Sequence, residues 1–159
     1  MKVKSLVTAM LFFSVFLFVM RAAAMTIRAS RQNIESGNNN NISTTKMKIT
    51  IGAIVFTATL YNNPSAAALK AMLPLTINMT ELNGNEKYYD SPGSIPANAS
   101  VGGDIKAGDL MLYGNNVLVL FYKNFNTTYS YTKLGYIDNP AGLATALGAG
   151  NVAVKFENN

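Results

Sequence analysis

Two carboxylates lie close together in the sequence, on either side of a turn signal. Glu81 precedes and Glu86 follows Asn83-Gly84, and two carboxylates held a few ångströms apart can act as acid and base in the hydrolysis of a glycosidic bond. Lys87 directly follows Glu86, near the tip of the predicted hairpin, where ion pairs are solvated and weak. We therefore favour a solvated surface pair over a catalytic dyad.

A second group of oxygen ligands lies further along the chain. Asp104 and Asp109, with the backbone carbonyls near Gly102, Gly103 and Gly108, could bind calcium in principle. Their spacing matches no calcium-binding loop, so we expect no metal site here.

The composition excludes most other kinds of catalytic and metal-binding site. The chain has no histidine, cysteine or tryptophan, and from Lys46 onward it also has no arginine. Nucleophile–base pairs, metal sites built from nitrogen or sulfur, and bidentate phosphate clamps cannot be assembled from the side chains that are left. The serines have no histidine to activate them, which excludes serine hydrolase chemistry. We predict no catalytic residue, no metal and no cofactor.

Aromatic residues are the remaining candidates for a ligand site, because aromatic rings commonly anchor peptides and sugars in concave sites. If the domain has a groove, we expect Tyr88, Tyr113, Tyr122 and Phe125 to line it, since they flank turns beside the longest predicted loop. A structural role is the simpler interpretation, because aromatic residues are common in strands and stabilise sheets as cross-strand pairs. The whole cluster comprises Tyr88, Tyr89, Tyr113, Tyr122, Phe125, Tyr129, Tyr131 and Tyr136.

These residues belong to a domain that follows an export signal. Lys2 and Lys4 precede an apolar stretch from Ser5 to Met20, and a run of three alanines ends at Ala24. This order is typical of a signal peptide, and we predict cleavage after Ala24. The alternative is an uncleaved anchor, but the apolar stretch is shorter than the ~20 residues that span a bilayer. The predicted location is periplasmic or secreted.

The charge argues against nucleic acid as a partner. The formal net charge of the whole chain is +5, from 13 basic and 8 acidic residues. Three of the basic residues precede the predicted cleavage site, so the mature chain would carry a net charge of about +2. Its lysines are isolated, and no run of them could neutralise several phosphates. We expect no nucleic acid and, after cleavage, no membrane as a partner.

The composition divides the chain into three parts. Residues 25–45 are polar and include the tract from Gly37 to Asn41, so we predict a flexible tether. Residues 46–157 are long enough for one independent core. The predicted organisation is a signal peptide over 1–24, a tether over 25–45 and one domain over 46–157.

The domain alternates apolar and polar residues in eight short segments, several of them joined by Gly and Asn turns. This pattern predicts strands and hairpins. Val117 to Phe121 is apolar on both faces, which indicates a central strand. The predicted strands cover residues 47–51, 55–60, 75–82, 86–89, 110–113, 116–122, 128–137 and 152–156.

Two short helices and one long loop complete the prediction. Asn63 can cap a helix that begins at Pro64, and Asp138 can cap another over residues 140–147. Prolines and glycines predict a surface loop over residues 91–106. Many short strands, few charges and two short helices indicate a mainly β fold, a closed β-barrel of about eight strands with two capping helices.

Three segments, in order along the chain, cover most of the domain: ITIGAIVFTATLYNNPSAAALKAMLPL, LNGNEKYYDSPGSIP and GDLMLYGNNVLVLFYKNFNTTYSYTKLGYIDNPAGLATALGAGNVAVKFE. They resemble the bacterial cyclophilin-like fold family of small secreted proteins. The resemblance implies a cyclophilin-type barrel with two capping helices. That family has no established biochemical role, and a shared fold does not supply one.

The resemblance also raises the question of whether the domain is a prolyl isomerase. Cyclophilins use an arginine that donates a hydrogen bond to the prolyl nitrogen, beside an apolar pocket with a tryptophan and a histidine at its rim. Rotation of the peptide bond faces a barrier of ~18–20 kcal/mol, and the loss of one aimed donor costs ~3 kcal/mol. The domain has none of the three residue types, so no catalytic residue is carried over.

The sequence thus predicts an exported, non-catalytic module that binds an extended peptide or a small ligand. The alternative from another class is an enzyme, a degenerate peptidyl-prolyl cis-trans isomerase. A third possibility is an accessory subunit encoded beside its partner.

Overall fold

The computed structural model of the chain describes residues 45–159. The predicted signal peptide over 1–24 and, apart from Thr45, the predicted tether over 25–45 lie outside the described residues. Within residues 45–159, no helix is long and apolar enough to cross a membrane.

This part of the chain forms nine strands and two helices, against the eight strands and two helices that the sequence predicts. Each strand pairs antiparallel with its neighbours. The elements are β1 (Thr45–Ile51), β2 (Ile54–Leu60), α1 (Pro64–Ala71), β3 (Leu75–Leu82), β4 (Glu86–Asp90), β5 (Ser100–Ile105), β6 (Asp109–Tyr113), β7 (Val117–Phe121), β8 (Phe125–Ile137), α2 (Leu143–Leu147) and β9 (Val152–Asn158).

Eight of these strands close into a barrel, in the order β2-β1-β9-β3-β4-β7-β6-β8. The end of β8 pairs with β2, with Ala58 opposite Ile137 and Leu60 opposite Gly135. A glycine is needed at this closure, because a Cβ atom at Gly135 would lie 2.4 Å from the carbonyl oxygen of Thr59. The mainly β fold, a closed barrel with two short helices, is therefore confirmed.

The interior of the barrel holds the larger of two apolar clusters. Leu110, Leu120 and Leu134 are fully buried in it. Both helices contribute, since Leu69 of α1 and Leu143 of α2 are buried in the same cluster. The short helices are therefore held by their apolar faces rather than by their length.

A second, smaller cluster lies on the outer face of the sheet, and β7 is shared by both. Leu118 and Leu120 belong to the interior cluster, whereas Val119 and Phe121 belong to the outer one. Since successive residues of a strand face opposite sides, the two clusters lie on opposite faces of the sheet. The prediction that this strand is central and apolar on both faces is confirmed.

The edge strand β5 corrects the prediction of a surface loop over residues 91–106. Ser100–Ile105 pairs with the first part of β8, with a register shift that is typical of a β-bulge. Gly102 permits close packing here instead of breaking the strand. A Cβ atom at Gly102 would lie only 2.9 Å from the Thr127 side chain.

One helix follows its predicted cap and the other does not. The Asn63 side chain accepts a hydrogen bond of 2.8 Å from the backbone of Ala66 at the start of α1, as predicted. Helix α2 begins only at Leu143, without a side-chain cap. The predicted cap Asp138 instead accepts hydrogen bonds from Thr59 and Lys46, at 2.5 and 2.9 Å. The prediction of Asp138 as a helix cap is wrong, because its carboxylate binds Thr59 of β2 and caps no helix.

Candidate functional site

A cavity of about 360 Å³ lies on the outer face of the sheet, beside the smaller apolar cluster. We call it the outer cavity. Strands β4, β6, β7 and β8 line it, together with the turn between β3 and β4. Its volume falls within the range of small-molecule sites in proteins. The lining residues are Leu82, Asn83, Asn85, Glu86, Tyr88, Asp90, Tyr113, Val117, Val119, Phe125, Tyr129 and Tyr131.

Four tyrosines form most of the aromatic wall of the outer cavity. The ring centroid of Tyr113 lies 6.3 Å from that of Tyr129, edge to face, and 5.7 Å from that of Tyr131. Tyr131 is fixed from behind by Phe121, whose ring centroid is 5.4 Å away. Tyr88 completes the set from β4. Because rings in such contacts hold one another in place, the part of the wall formed by Tyr113, Tyr129 and Tyr131 is preorganised.

Glu86 is the acidic residue buried in this wall. Its exposed fraction is 8%, and alternation along β4 puts it on the same face as Tyr88 and Asp90. Burial raises the pKa of the Glu86 carboxyl, and the charge of Glu81 raises that pKa further. Among residues 45–159, no group donates a hydrogen bond to the Glu86 carboxylate or forms an ion pair with it. The prediction of Glu86 in a solvated surface pair is therefore wrong for most of the side chain, and only its carboxylate opens into the outer cavity.

Among the other polar groups of the cavity, Asp90 is exposed at the rim, whereas Tyr131 and Asn85 are neutral. Burial, followed by the charge of Glu86, raises the pKa of Tyr131 to about 12, so its hydroxyl stays protonated at neutral pH. The side-chain oxygen of Asn85 is buried and has no partner within the described part of the chain. A ligand would therefore meet hydrogen-bonding groups as well as apolar surface.

Lys87, next to Glu86, points to the opposite face and is completely buried. Its ammonium group donates hydrogen bonds to the carbonyl oxygens of Gly148 and Gly150, at 2.8 and 2.6 Å, and forms an ion pair with Glu81. All three protons of the ammonium group thus have an acceptor. The Lys87 network ties β4 to the chain between α2 and β9.

Glu81 belongs to the Lys87 network and not to the outer cavity. It lies opposite Lys87 in the β3–β4 ladder, and the Tyr122 hydroxyl donates hydrogen bonds of 2.8 and 3.0 Å to its two oxygens. Burial alone would raise the pKa of Glu81, but the hydrogen bonds from Lys87 and Tyr122 outweigh it and lower the pKa. Glu81 and Glu86 therefore face opposite sides of the sheet and do not form a dyad, as the sequence indicates.

Three of the four predicted site residues meet in the outer cavity. Tyr88, Tyr113 and Phe125 line it, while the Tyr122 ring packs against the interior cluster. Alternation in β7 could have indicated this, since Phe121 faces outward and the next residue must face inward. Ligand binding by these residues stays a prediction.

Sequence reasoning missed other lining residues. The placement of the other lining residues depends on the pairing of distant strands, which a single sequence specifies poorly. These residues include Glu86, Tyr129 and Tyr131. The carboxylates considered for calcium are engaged separately: Asp104 accepts from Asn126, and Asp109 from the backbone of Lys106. Within residues 45–159 no three acidic side chains come together as a metal site would need.

The outer cavity combines apolar surface, tyrosine hydroxyls and two carboxylates, those of Glu86 and Asp90. No arginine is available after Lys46 to donate to a prolyl nitrogen, and no histidine to move a proton.

Comparisons with known proteins agree with this fold. The sequence model of the cyclophilin-like family matches residues 49–157. The solution structure of a hypothetical protein from Archaeoglobus fulgidus is similar, with a TM-score of 0.56 and 15% identity over 76% of this chain and 99% of that chain. No curated protein matches the sequence. At this identity the structural likeness concerns the fold alone, and the cyclophilin-like fold predicted from the sequence is confirmed.

Proposed function

We propose that this chain, which belongs to the cyclophilin-like family, is an exported, non-catalytic domain that binds an extended peptide or a small ligand in the outer cavity. The observation that carries the proposal is the composition of this cavity. Four tyrosines line a space of about 360 Å³, and the carboxylate of Glu86, a residue that is 8% exposed, opens into it without a partner among residues 45–159. The buried side-chain oxygen of Asn85, which also lines the cavity, has no partner within the same residues, and such groups are rare in native structures and call for an explanation.

Binding is favoured over catalysis because of the groups that the domain lacks. Prolyl isomerisation needs a donor aimed at the prolyl nitrogen, and the residues from Lys46 onward include no arginine. Lysine offers only a point charge in place of a planar fork, and Lys87 is already engaged by three acceptors on the opposite face. We therefore expect a ligand to bind without acceleration of its cis/trans exchange.

Export is supported by the order of residues before the domain. Two lysines, an apolar stretch and three alanines ending at Ala24 have the order of a signal peptide. Sequencing of the amino terminus of the protein recovered from cells tests this part of the proposal. A mature chain that begins at Met25 would support it, and an intact Met1 in the recovered protein would contradict it.

Fluorine NMR on the full chain, labelled with 3-fluorotyrosine, tests the site. Of the eight tyrosines, Tyr88, Tyr113, Tyr129 and Tyr131 line the outer cavity and the other four serve as internal controls. The probes are capped alanine pentapeptides whose central residue is proline, lysine, norleucine or glutamate. At least one probe should shift the cavity signals and leave the control signals in place.

Two exposed tyrosines on β8 provide matched variants for this test. Tyr129 lines the outer cavity and stacks on Tyr113, whereas Tyr136 lies outside it and stacks on Tyr61 at 5.6 Å. Tyr129→Ala should weaken binding about 10-fold, because an aromatic contact of ~1.5 kcal/mol is lost. Tyr136→Ala should leave binding unchanged. Equal losses in both variants, or no cavity shift with any probe, would contradict the proposal. Acceleration of exchange in the proline peptide would support the isomerase instead.

A further inference from the structure

We propose that the ligand of the outer cavity carries an organic cation, an ammonium or guanidinium group on an apolar stem, which pairs with Glu86 while the stem lies between the tyrosines. This inference rests on the proposed function and names the chemical class of its ligand. Its source is the basic side chain of an extended peptide or a free amine, since both present the same group.

The first argument compares two adjacent buried charges. Lys87 is fully buried and its ammonium group has three acceptors, while Glu86 is 8% exposed and has no donor or cation within residues 45–159. The Glu86 carboxylate opens into the cavity and is partly shielded from solvent, so its attraction to an opposite charge is stronger there than on an open surface. The cavity beside Glu86 is the place from which a partner can come, and the partner that compensates a carboxylate best is a cation that donates hydrogen bonds.

The second argument concerns the walls around the carboxylate. Tyr88, Tyr113, Tyr129 and Tyr131 present aromatic faces and edges to the cavity, and a cation within about 6 Å of an aromatic face is attracted by its π electrons. Val119 and Phe125 supply apolar surface for an alkyl stem. The lining therefore suits both parts of an alkylammonium or alkylguanidinium group.

The third argument excludes the opposite charge. The residues that line the cavity include Glu86 and Asp90 and no lysine. An anionic ligand would meet two like charges, and a neutral apolar ligand would shield Glu86 from solvent without offering it a hydrogen-bond donor. Both are disfavoured by the cost of an uncompensated buried charge.

The pH dependence of binding follows from the groups that face Glu86. Among the tyrosines near it, Tyr131 and Tyr122 have pKa values raised to about 12, so their hydroxyls stay protonated at neutral pH. Glu81 of β3 has a lowered pKa, Asp90 is exposed at the rim, and Lys87 faces the opposite side. Burial raises the pKa of Glu86, so protonation of Glu86 is the change that weakens cation binding as the pH falls.

The test compares the lysine and norleucine peptides, which share an unbranched apolar stem and differ in charge. Affinities for the full chain are measured by fluorine NMR at pH 7.5. We expect the lysine peptide to bind about 10-fold more tightly or better, as for a charge-assisted pair partly shielded from water. Its affinity should fall towards that of the norleucine peptide as the pH is lowered and Glu86 takes up a proton.

Matched variants locate the effect. Glu86→Gln keeps the shape of the side chain and should reduce the preference for lysine to about 1-fold, with loss of its pH dependence. Asp104→Asn changes an acidic residue of β5 that lies outside the cavity and whose side chain is 75% exposed, and it should alter the preference less than about 3-fold, because an exposed charge is screened. The pH profile of the unmodified chain provides a reading that does not depend on how either variant folds.

The outcomes separate this inference from the proposed function. Equal cavity shifts with both peptides, or a lysine preference that survives Glu86→Gln, would overturn the cation inference while binding in the cavity stands. Absence of cavity shifts with all probes would overturn both. Titration with n-butylamine then distinguishes the sources: saturation at the affinity of the lysine peptide indicates a free amine, and much weaker binding indicates a basic side chain in a peptide.

Discussion

Two adjacent residues of β4, Glu86 and Lys87, carry charges on opposite faces of the sheet, and only Lys87 is paired within the described residues. On the inner face, Lys87 has three acceptors and ties β3, β4 and the chain after α2 together. On the outer face, Glu86 is nearly as buried and has no partner among the described residues. A fully satisfied buried charge fixes structure, whereas an unsatisfied one beside a cavity indicates a place for a ligand.

We expect the largest change in stability when Lys87, the buried charge with three acceptors, is replaced. Lys87→Met should lower the free energy of unfolding by about 2–4 kcal/mol, because it leaves Glu81 and two carbonyl groups without their donor. Lys123→Met is the matched control, since both ammonium groups lie over the Tyr122 ring, at 5.5 and 6.0 Å, but Lys123 is exposed. Urea unfolding measures both. Similar midpoints for the two variants would show that the network contributes nothing.

Glu81 tests the same network from its other end. Its pKa is lowered in the folded chain, so its ionised form stabilises the fold, and that contribution is lost as the pH falls through the lowered pKa. Glu81→Gln should cost about 1 kcal/mol at pH 7, reduced by the solvent that reaches this side chain. The difference from the unmodified chain should vanish at pH 2–3 in thermal unfolding. A difference that is constant with pH would contradict the ion pair.

Tyr122 and Tyr131 each carry a hydroxyl group, Tyr122 on the inner face of the sheet and Tyr131 on the outer face. Tyr122→Phe removes the hydrogen bonds to Glu81 and should lower the free energy of unfolding by about 1 kcal/mol without changing ligand affinity. Tyr131→Phe removes a hydroxyl of the outer cavity and should change affinity more than stability. Denaturation and fluorine NMR on both variants measure this. The reverse pattern would mean that the faces have been assigned the wrong roles.

The smallest expected effect is an increase in stability rather than a loss. Burial raises the pKa of Glu86 in the folded chain, so the folded state binds a proton more tightly, and stability falls as the pH rises through that pKa. Glu86→Gln should therefore stabilise the protein at pH 8 by about 0.5–1 kcal/mol, or roughly 2–5 °C in Tm. The gain should shrink towards pH 4. Scanning calorimetry at the two pH values measures it, and a destabilised variant at pH 8 would indicate a partner for Glu86.

Local signals explain which parts of the fold could be predicted. The turn at Asn83-Gly84 and the Asn63 cap depend on neighbours in sequence, and both occur as predicted. Strand β5 was missed because its glycines resemble loop residues until they pack closely against β8. Asp138 was misassigned because its partner Thr59 lies 79 residues away.

The candidate site was less predictable for the same reason. Tyr88 and Tyr113 were predicted because they flank turns beside the long predicted loop, but their meeting with Tyr131 depends on the pairing of β4, β7, β6 and β8. The burial of Glu86 and Lys87 was missed because charges near a hairpin tip are usually solvated. Only the closed barrel brings the chain after α2 over Lys87.

The most direct test of the central claim is the fluorine spectrum of the eight tyrosines as the lysine peptide is added at pH 7.5. The claim is that the outer face of the sheet is the binding face and the inner face is structural. We expect Tyr88, Tyr113, Tyr129 and Tyr131 to shift together along one saturable curve, while Tyr61, Tyr89, Tyr122 and Tyr136 stay in place. A spectrum in which Tyr122 and Tyr89 move and the four cavity signals do not would contradict it.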